Sequence, residues 1–105
     1  MENKNIKGKG LTCFIVYVGY RNTICDRTSH GVTTMYVCST EEKAQAKLKI
    51  ALENVMDDLK TELKNKGGKL DEVNVYHSAK CIKVRYTKRM LDYEYNIFYN
   101  EFPMD

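Results

Sequence analysis

The amino-acid sequence predicts an α+β fold in which an antiparallel sheet of four to five strands packs against one long amphipathic helix. Two observations support this class. A stretch from about residue 40 to residue 66 repeats apolar side chains at three- and four-residue steps, as a helix with one buried face does. On both sides of it, shorter stretches alternate apolar and polar residues, as half-buried strands do. The element order is therefore ββαββ, or ββαβββ if a short stretch before residue 80 also pairs.

The chain has 105 residues and a formal net charge of +3, which suit one small domain with a modest core. We expect residues 1–10 to form a flexible, basic N-terminal arm and residues 11–105 to form a single α+β domain. No apolar run approaches the ~20 residues that cross a bilayer. The arm also lacks the apolar segment of a secretory signal. These features predict a cytoplasmic protein with no membrane partner.

Residues 12–20 form the first predicted strand, in which valine and phenylalanine side chains alternate with Ile15 and Tyr17. Because both faces are apolar, we expect a central strand with one face under the helix and the other partly covered. Residues 21–31 are polar and predict a long hairpin loop. Residues 32–38 then form the second strand.

The helix has clear signals at both ends. Ser39 stands at the predicted N-cap, and Glu42 completes a capping box three residues later. Gly67 and Gly68 predict the end, because glycine readily adopts the left-handed conformation that closes a helix. The apolar stripe between these limits comprises Ala44, Leu48, Ala51, Leu52, Val55, Leu59 and Leu63. This pattern predicts packing and indicates no chemistry.

Three stretches after the helix are predicted strands. Residues 73–76 form a short strand, residues 80–87 a clearer one, and residues 92–102 the last. A turn at residues 88–91 joins the last two, although no Asn-Gly or Asp-Gly pair fixes its type. On the last strand one face comprises Tyr93, Tyr95, Ile97 and Tyr99, and the other comprises Glu94, Asn96, Phe98 and Asn100.

The cysteines give no indication of a metal centre. None of them belongs to a Cys-x-x-Cys pair, the close spacing that zinc sites normally show. In a reducing cytoplasm they are expected to be core or half-buried thiols, with no cofactor bound. The four are Cys13, Cys25, Cys38 and Cys81.

A nucleophilic set can be drawn from Cys25, Asp26 and His30, because a thiolate needs a base and an orienting acid. All three fall on the polar stretch of residues 21–31. No glycine elbow precedes the cysteine, and no oxyanion donors are identifiable. A solvated hairpin loop is the favoured interpretation, and we expect the protein not to be an enzyme.

The strongest indication of function is the basic segment of residues 80–89. Alternation places Lys83 and Arg85 on one face of a strand, near a basic turn. Three interpretations remain open: an outer face neutralised by Glu94 and its neighbours, a surface for an acidic protein, and a nucleic-acid site. The Gly-Phe-x-Phe string of an RNA-recognition module is missing from the sequence.

Tyrosine is unusually frequent, with eight residues and no tryptophan. Tyrosine is enriched at protein interfaces, but it also forms strands well on a half-buried sheet, and both interpretations remain open. The predicted binding residues combine the basic segment with neighbouring tyrosines: Lys80, Lys83, Arg85, Tyr86, Lys88, Arg89, Tyr93, Tyr95 and Tyr99.

Residues 36–44, Tyr-Val-Cys-Ser-Thr-Glu-Glu-Lys-Ala, carry a strand directly into the helix. A polar hairpin loop, such a strand and a serine- or threonine-capped Glu-Glu-Lys-Ala helix together resemble small accessory proteins of phages and mobile elements. That group includes inhibitors of host defence such as anti-CRISPR proteins. The resemblance implies a small accessory protein without catalysis, and it carries over no site residues.

Three classes of function follow from these observations. The first is a protein-binding inhibitor or adaptor that uses a tyrosine-bearing sheet face or an exposed edge strand. The second is a nucleic-acid-binding accessory protein that uses residues 80–89, and the third is an enzyme built around residues 21–31. We expect the first, an anti-CRISPR-like inhibitor or adaptor in the host cytoplasm. Its partner would be another protein, such as a host defence or nucleic-acid-processing complex, and a homodimer is an open arrangement.

Overall fold

The structure, a computed structural model, describes residues 12–88 and 90–103. Five strands and one long helix in this part of the chain confirm the α+β class and the order ββαβββ. The predicted N-terminal arm and Arg89 of the predicted binding set lie outside the described residues. The elements are β1 (Thr12–Ile24), β2 (Arg27–Cys38), α1 (Glu41–Lys66), a short 3-10 helix (Leu70–Glu72), β3 (Asn74–His77), β4 (Cys81–Lys88) and β5 (Leu91–Pro103).

The strands form one sheet in the order β2-β1-β5-β4-β3, and every neighbouring pair is antiparallel. β1 and β5 pair along their whole lengths, with Thr12 opposite Pro103 and Ile24 opposite Leu91. The prediction that the first strand is central is therefore confirmed. β2 and β3 are the two edges of the sheet.

The prediction of a hairpin loop at residues 21–31 is wrong. β1 and β2 extend through this stretch, and the turn consists of Cys25 and Asp26. The polar residues stay in the sheet because β5 pairs with β1 as far as Ile24. Cys25 has a φ of 61°, which few residues other than glycine adopt, so the sequence carries none of the usual signals for this turn.

β2 contains a bulge that breaks its predicted alternation. Val16 pairs with Tyr36, whereas Tyr17 pairs with Thr34, so Met35 is the extra residue. Met35 packs against the core and Val37 is exposed, although residues two positions apart on a regular strand share a face.

The helix begins one residue later than predicted. Thr40 is the N-cap, and its hydroxyl accepts a hydrogen bond of 3.2 Å from the backbone N–H of Lys43. The predicted capping box of Ser39 and Glu42 is therefore not formed, because the cap has moved by one position. The predicted end is confirmed: Gly67 adopts the left-handed conformation with φ 79°.

One face of the sheet, here called the inner face, packs against α1, and the opposite face is called the outer face. The buried side of the helix comprises Ala44, Leu48, Ala51, Val55, Leu59 and Leu63. Leu52, which the sequence placed in the middle of this stripe, is only partly buried at its margin. The inner face contributes Val16, Val18, Ile82, Val84 and Ile97 to the same core.

Candidate functional site

The tyrosines of the predicted binding set lie on the inner face. Tyr86, Tyr93 and Tyr99 are 2%, 0% and 5% exposed, so they belong to the core and are removed from any surface site. Tyr95 is partly buried and packs against the same core. Side chains alternate between the two faces of a strand, and the tyrosines of β5 alternate in step with buried Ile97. They therefore point toward the helix, as Ile97 does.

The hydroxyls of two of these tyrosines attach the sheet to the helix. Tyr93 donates a hydrogen bond of 3.0 Å to Glu62, and Tyr99 donates one of 2.6 Å to Glu41. Gln45 donates to the Tyr99 hydroxyl at 3.2 Å. Burial, followed by the hydrogen bond to Glu62, raises the pKa of Tyr93 well above its usual value. These tyrosines are neutral structural contacts between α1 and β5.

The basic residues of the predicted set do not share one surface. Lys83 and Arg85 lie on the outer face and are exposed. Lys88 is the last residue of β4 and lies on the inner face, opposite Leu91. It forms an ion pair with Glu72. Lys80 is exposed in the turn before β4. Among the predicted cations in the described part of the chain, only Lys83 and Arg85 therefore lie together.

Those two cations belong to a charged cluster at the middle of the outer face. Arg21 donates a hydrogen bond of 3.0 Å to Glu94, and the Lys83 ammonium lies 3.8 Å from the same carboxylate. The Arg85 guanidinium lies 3.6 Å from Asp92. Acidic residues of the last strand therefore face the basic strand, as in one of the three interpretations that the sequence left open. This charged cluster comprises Arg21, Lys83, Arg85, Asp92 and Glu94.

Glu94 is the centre of the charged cluster, and its side chain is 16% exposed. Partial burial opposes its ionisation, but hydrogen bonds from Asn96 and Arg21 and the charge of Lys83 outweigh burial. The pKa of Glu94 is consequently below its usual value, and the residue is a carboxylate at neutral pH.

An aromatic cluster occupies the neighbouring part of the outer face. It consists of Tyr17 on β1 and of Phe98 and Phe102 on β5. The Tyr17 and Phe98 rings stack with centroids 5.3 Å apart, and the Phe102 ring meets Tyr17 edge-on at 6.5 Å. Phe102 is 37% exposed, while the other two rings are partly buried. Such rings offer large apolar area that is already held in place.

Exposed valines of β2 border this aromatic cluster. Val32 and Val37 are 65% and 68% exposed. Val37 lies opposite Ile15 and therefore on the outer face. Within residues 12–88 and 90–103, α1 packs on the inner face and no element covers the outer one. The described part of the chain thus leaves an aromatic and aliphatic surface open.

A depression lies between the aromatic and charged clusters. Gly19 has no side chain there, and a Cβ added to it would find its nearest neighbour, Val32, at 3.7 Å. The depression has a volume of about 380 Å³. It is lined by Gly19, Tyr20, Arg21, His30, Gly31, Val32, Glu94, Asn96 and Phe98. A single side chain of a partner could enter it beside the aromatic cluster.

The nucleophilic set drawn from the sequence is not assembled. Cys25 and Asp26 form the turn, whereas His30 lies within β2 opposite Arg21. Each strand residue advances the chain by about 3.3 Å, which puts the imidazole beyond hydrogen-bond reach of the turn. The four cysteines are free thiols, with Cys25 exposed and Cys38 buried. The described residues contain no group of three or more side chains that could hold a metal ion.

Comparison with known protein families, with curated proteins and with solved structures finds no match to this chain. No helix in the described part of the chain has the length and apolarity that crossing a membrane requires.

Sequence reasoning missed the aromatic cluster, although a signal for it was present. Phe98 alternates with Ile97 and Tyr99 and therefore points away from the helix. Tyr17 alternates in the same way with Val16 and Val18 on β1. The alternation of each strand therefore placed its ring on the face away from the helix, but only the pairing of β1 with β5 brings the two rings together.

Proposed function

We propose that this protein is a small, non-enzymatic binding protein whose outer sheet face engages another protein. The observation that carries the proposal is the aromatic cluster, which residues 12–88 and 90–103 leave uncovered and which the exposed Val32 and Val37 border. Aromatic side chains held in place at the centre of a contact are the usual anchors of protein interfaces. In this proposal the protein acts in the cytoplasm.

The charged cluster supports a protein partner over a phosphate backbone. Lys83 and Arg85 already face carboxylates at 3.8 and 3.6 Å, so the surface offers compensated ion pairs instead of a row of free cations. Compensated pairs suit the polar rim of a protein interface, where they steer encounter and fix orientation. Phosphate binding favours uncompensated lysine and arginine.

The resemblance of the strand-to-helix junction to small phage and mobile-element proteins extends the proposal to a biological role. An inhibitor or adaptor of this kind acts by occupying a surface of a host complex, and it needs no catalytic group. We therefore propose an anti-CRISPR-like inhibitor or adaptor, with a host defence or nucleic-acid-processing complex as its partner.

Capture experiments with matched variants test the proposal. The immobilised chain would be exposed to bacterial lysate with and without nuclease, and bound proteins would be compared among wild type, Phe102→Ser and Leu70→Ser. Phe102 and Leu70 are 37% and 36% exposed, but Leu70 lies in the short helix after α1, which contacts α1. A difference between the two variants therefore reports where the partner binds.

We expect Phe102→Ser to speed dissociation of the captured protein by about tenfold or more, as loss of an interface anchor does. Leu70→Ser should behave like wild type, and nuclease should change nothing. Equal behaviour of the two variants, or loss of capture after nuclease treatment, would contradict the proposal.

Nucleic-acid binding is the second candidate, and one observation favours it. Tyr17 and Phe98 lie on adjacent central strands, on the same face as Lys83 and Arg85, as stacking rings and phosphate contacts do in single-strand binding sheets. Binding of mixed DNA and RNA at two salt concentrations separates the candidates. Submicromolar, salt-sensitive binding that Lys83→Glu with Arg85→Glu abolishes would favour nucleic acid.

A further inference from the structure

We infer that the free edge of β2 pairs with the β2 edge of a second copy of this chain, which would join two sheets into one. This interaction uses the edge of the sheet, so it is separate from the outer-face partner of the proposed function. Three features of β2 favour this pairing: its exposure, the direction of its backbone groups and its near-absence of charge.

The first half of β2 is exposed on both sides. From Arg27 to Thr34 every residue is exposed except Gly31, because α1 covers other parts of the inner face. β2 contacts β1 along one edge, and no described residue pairs with its other edge. A long strand in this situation presents a row of unpaired backbone groups to any suitable strand.

The hairpin register identifies which backbone groups point outward. Ile24 and Arg27 close the two-residue turn as a hydrogen-bonded pair, and such pairs recur at every second position. The N–H of Cys25 donates to the Met90 carbonyl at 2.7 Å, which confirms that odd positions of β1 face β5. Even positions of β1 therefore face β2. The residues of β2 whose N–H and C=O point to the free edge are Thr28, His30, Val32 and Thr34.

Natural edge strands are usually protected by lysine, proline or inward-pointing charges. Between Thr28 and Cys38, β2 has no lysine, arginine, acidic residue or proline. Its one permanent charge is Arg27, beside the turn. The bulge at Met35 limits the straight part of the edge to residues 27–34. This segment lacks the features that normally keep two copies apart.

Antiparallel pairing of two β2 strands, centred on Gly31, pairs every backbone N–H and C=O that points to the free edge. It places Thr28 of one copy opposite Thr34 of the other, and His30 opposite Val32, in a two-fold arrangement. About eight backbone hydrogen bonds would form, two for each facing pair. The two Arg27 side chains would lie at opposite ends of the ladder, so no like charges would meet. Within the ladder, therefore, no pair of like charges opposes a second copy.

Charge reversal across the predicted register tests the inference. Thr28→Lys with Thr34→Lys puts like charges directly opposite each other twice, whereas Thr28→Lys with Thr34→Glu puts opposite charges there. Both double variants lose the hydrogen bond of 2.9 Å between the Thr28 and Thr23 hydroxyls, so this loss does not distinguish them. Sedimentation velocity of the full chain over a wide concentration range, without any partner present, measures association.

Wild type should dimerise, and the lysine–lysine variant should associate about tenfold more weakly than the lysine–glutamate variant. Val32→Pro removes an outward N–H and should also weaken the dimer, whereas Val32→Thr retains the N–H and should preserve it. Phe102→Ser should leave the dimer intact, because its ring lies on the outer face. A monomeric wild type, or equal association of the two charge variants, would overturn the inference.

Discussion

Replacing Gly68 by alanine tests how tightly the end of α1 packs against β4. A Cβ at this position would lie 2.7 Å from the Tyr86 hydroxyl oxygen and 2.9 Å from the Leu63 Cδ2 atom. Both distances are shorter than Cβ contacts in real proteins. Tyr86 and Leu63 are 2% and 1% exposed, so neither can move into solvent. We expect Gly68→Ala to lower the free energy of unfolding by about 1–3 kcal/mol, as overpacking of a core does.

Gly67 supplies a control, because a substitution there destabilises the protein through backbone conformation instead of steric overlap. A Cβ on Gly67 would meet no atom within 4 Å, but the residue has φ 79°. Gly67→Ala should therefore cost about 1 kcal/mol through backbone strain. Gly67→Asn should recover part of this loss, because asparagine tolerates the left-handed conformation. Gly68→Asn should recover nothing, since the obstruction there is steric.

A double-mutant cycle with Tyr86→Phe identifies the responsible contact. Removing the hydroxyl leaves the ring carbon Cζ, at 3.2 Å, as the nearest atom of that side chain. Urea denaturation followed by circular dichroism would measure each variant. The cost of Gly68→Ala should fall by about 1 kcal/mol in the Tyr86→Phe background. An unchanged cost, or a Gly68→Ala protein as stable as wild type, would refute the packing described here.

Three further predictions concern the charged cluster, the core and the thiols. Because the pKa of Glu94 is lowered on folding, its stabilising contribution is present above its ordinary value of 4.5 and is lost as the pH falls through its folded pKa. Glu94→Gln should therefore cost about 1 kcal/mol at pH 7, and urea titrations should show the difference closing in acid. Leu59→Ala should cost about 2–5 kcal/mol in the same assay, more than Leu52→Ala, because Leu59 is fully buried. Thiol labelling without reductant should find all four cysteines free, with Cys25 reacting first and Cys38 last in the native state.

The fold was largely predictable because its main signals are local. The apolar stripe of α1, the stop at Gly67 and the alternation of β5 each depend on residues close in sequence. The extent of β1 and β2 was not predictable in this way. Residues 21–31 are polar, and they are strands because distant β5 supplies hydrogen bonds to β1. No sequence signal marks the turn, since its left-handed residue is Cys25.

The candidate site was predicted less well, because it depends on which face α1 covers. Alternation identified the two faces of β5 correctly, but the predicted binding set includes Tyr93, Tyr95 and Tyr99, which lie on the same face as buried Ile97. The rings of Tyr17 and Phe98 are far apart in sequence and meet only through the pairing of β1 with β5. Charge compensation around Glu94 was predictable, since opposite charges on consecutive strands could be expected to face each other.

Hydroxyl-radical footprinting of the protein with its captured partner bound locates the interface, because it reports on individual side chains. We expect binding to protect Tyr17, Phe98 and Phe102 from oxidation, while Leu70 and Met90, on other surfaces, remain as reactive as in the free protein. Protection of Leu70 and Met90 with unchanged oxidation of the three rings would contradict an outer-face interface.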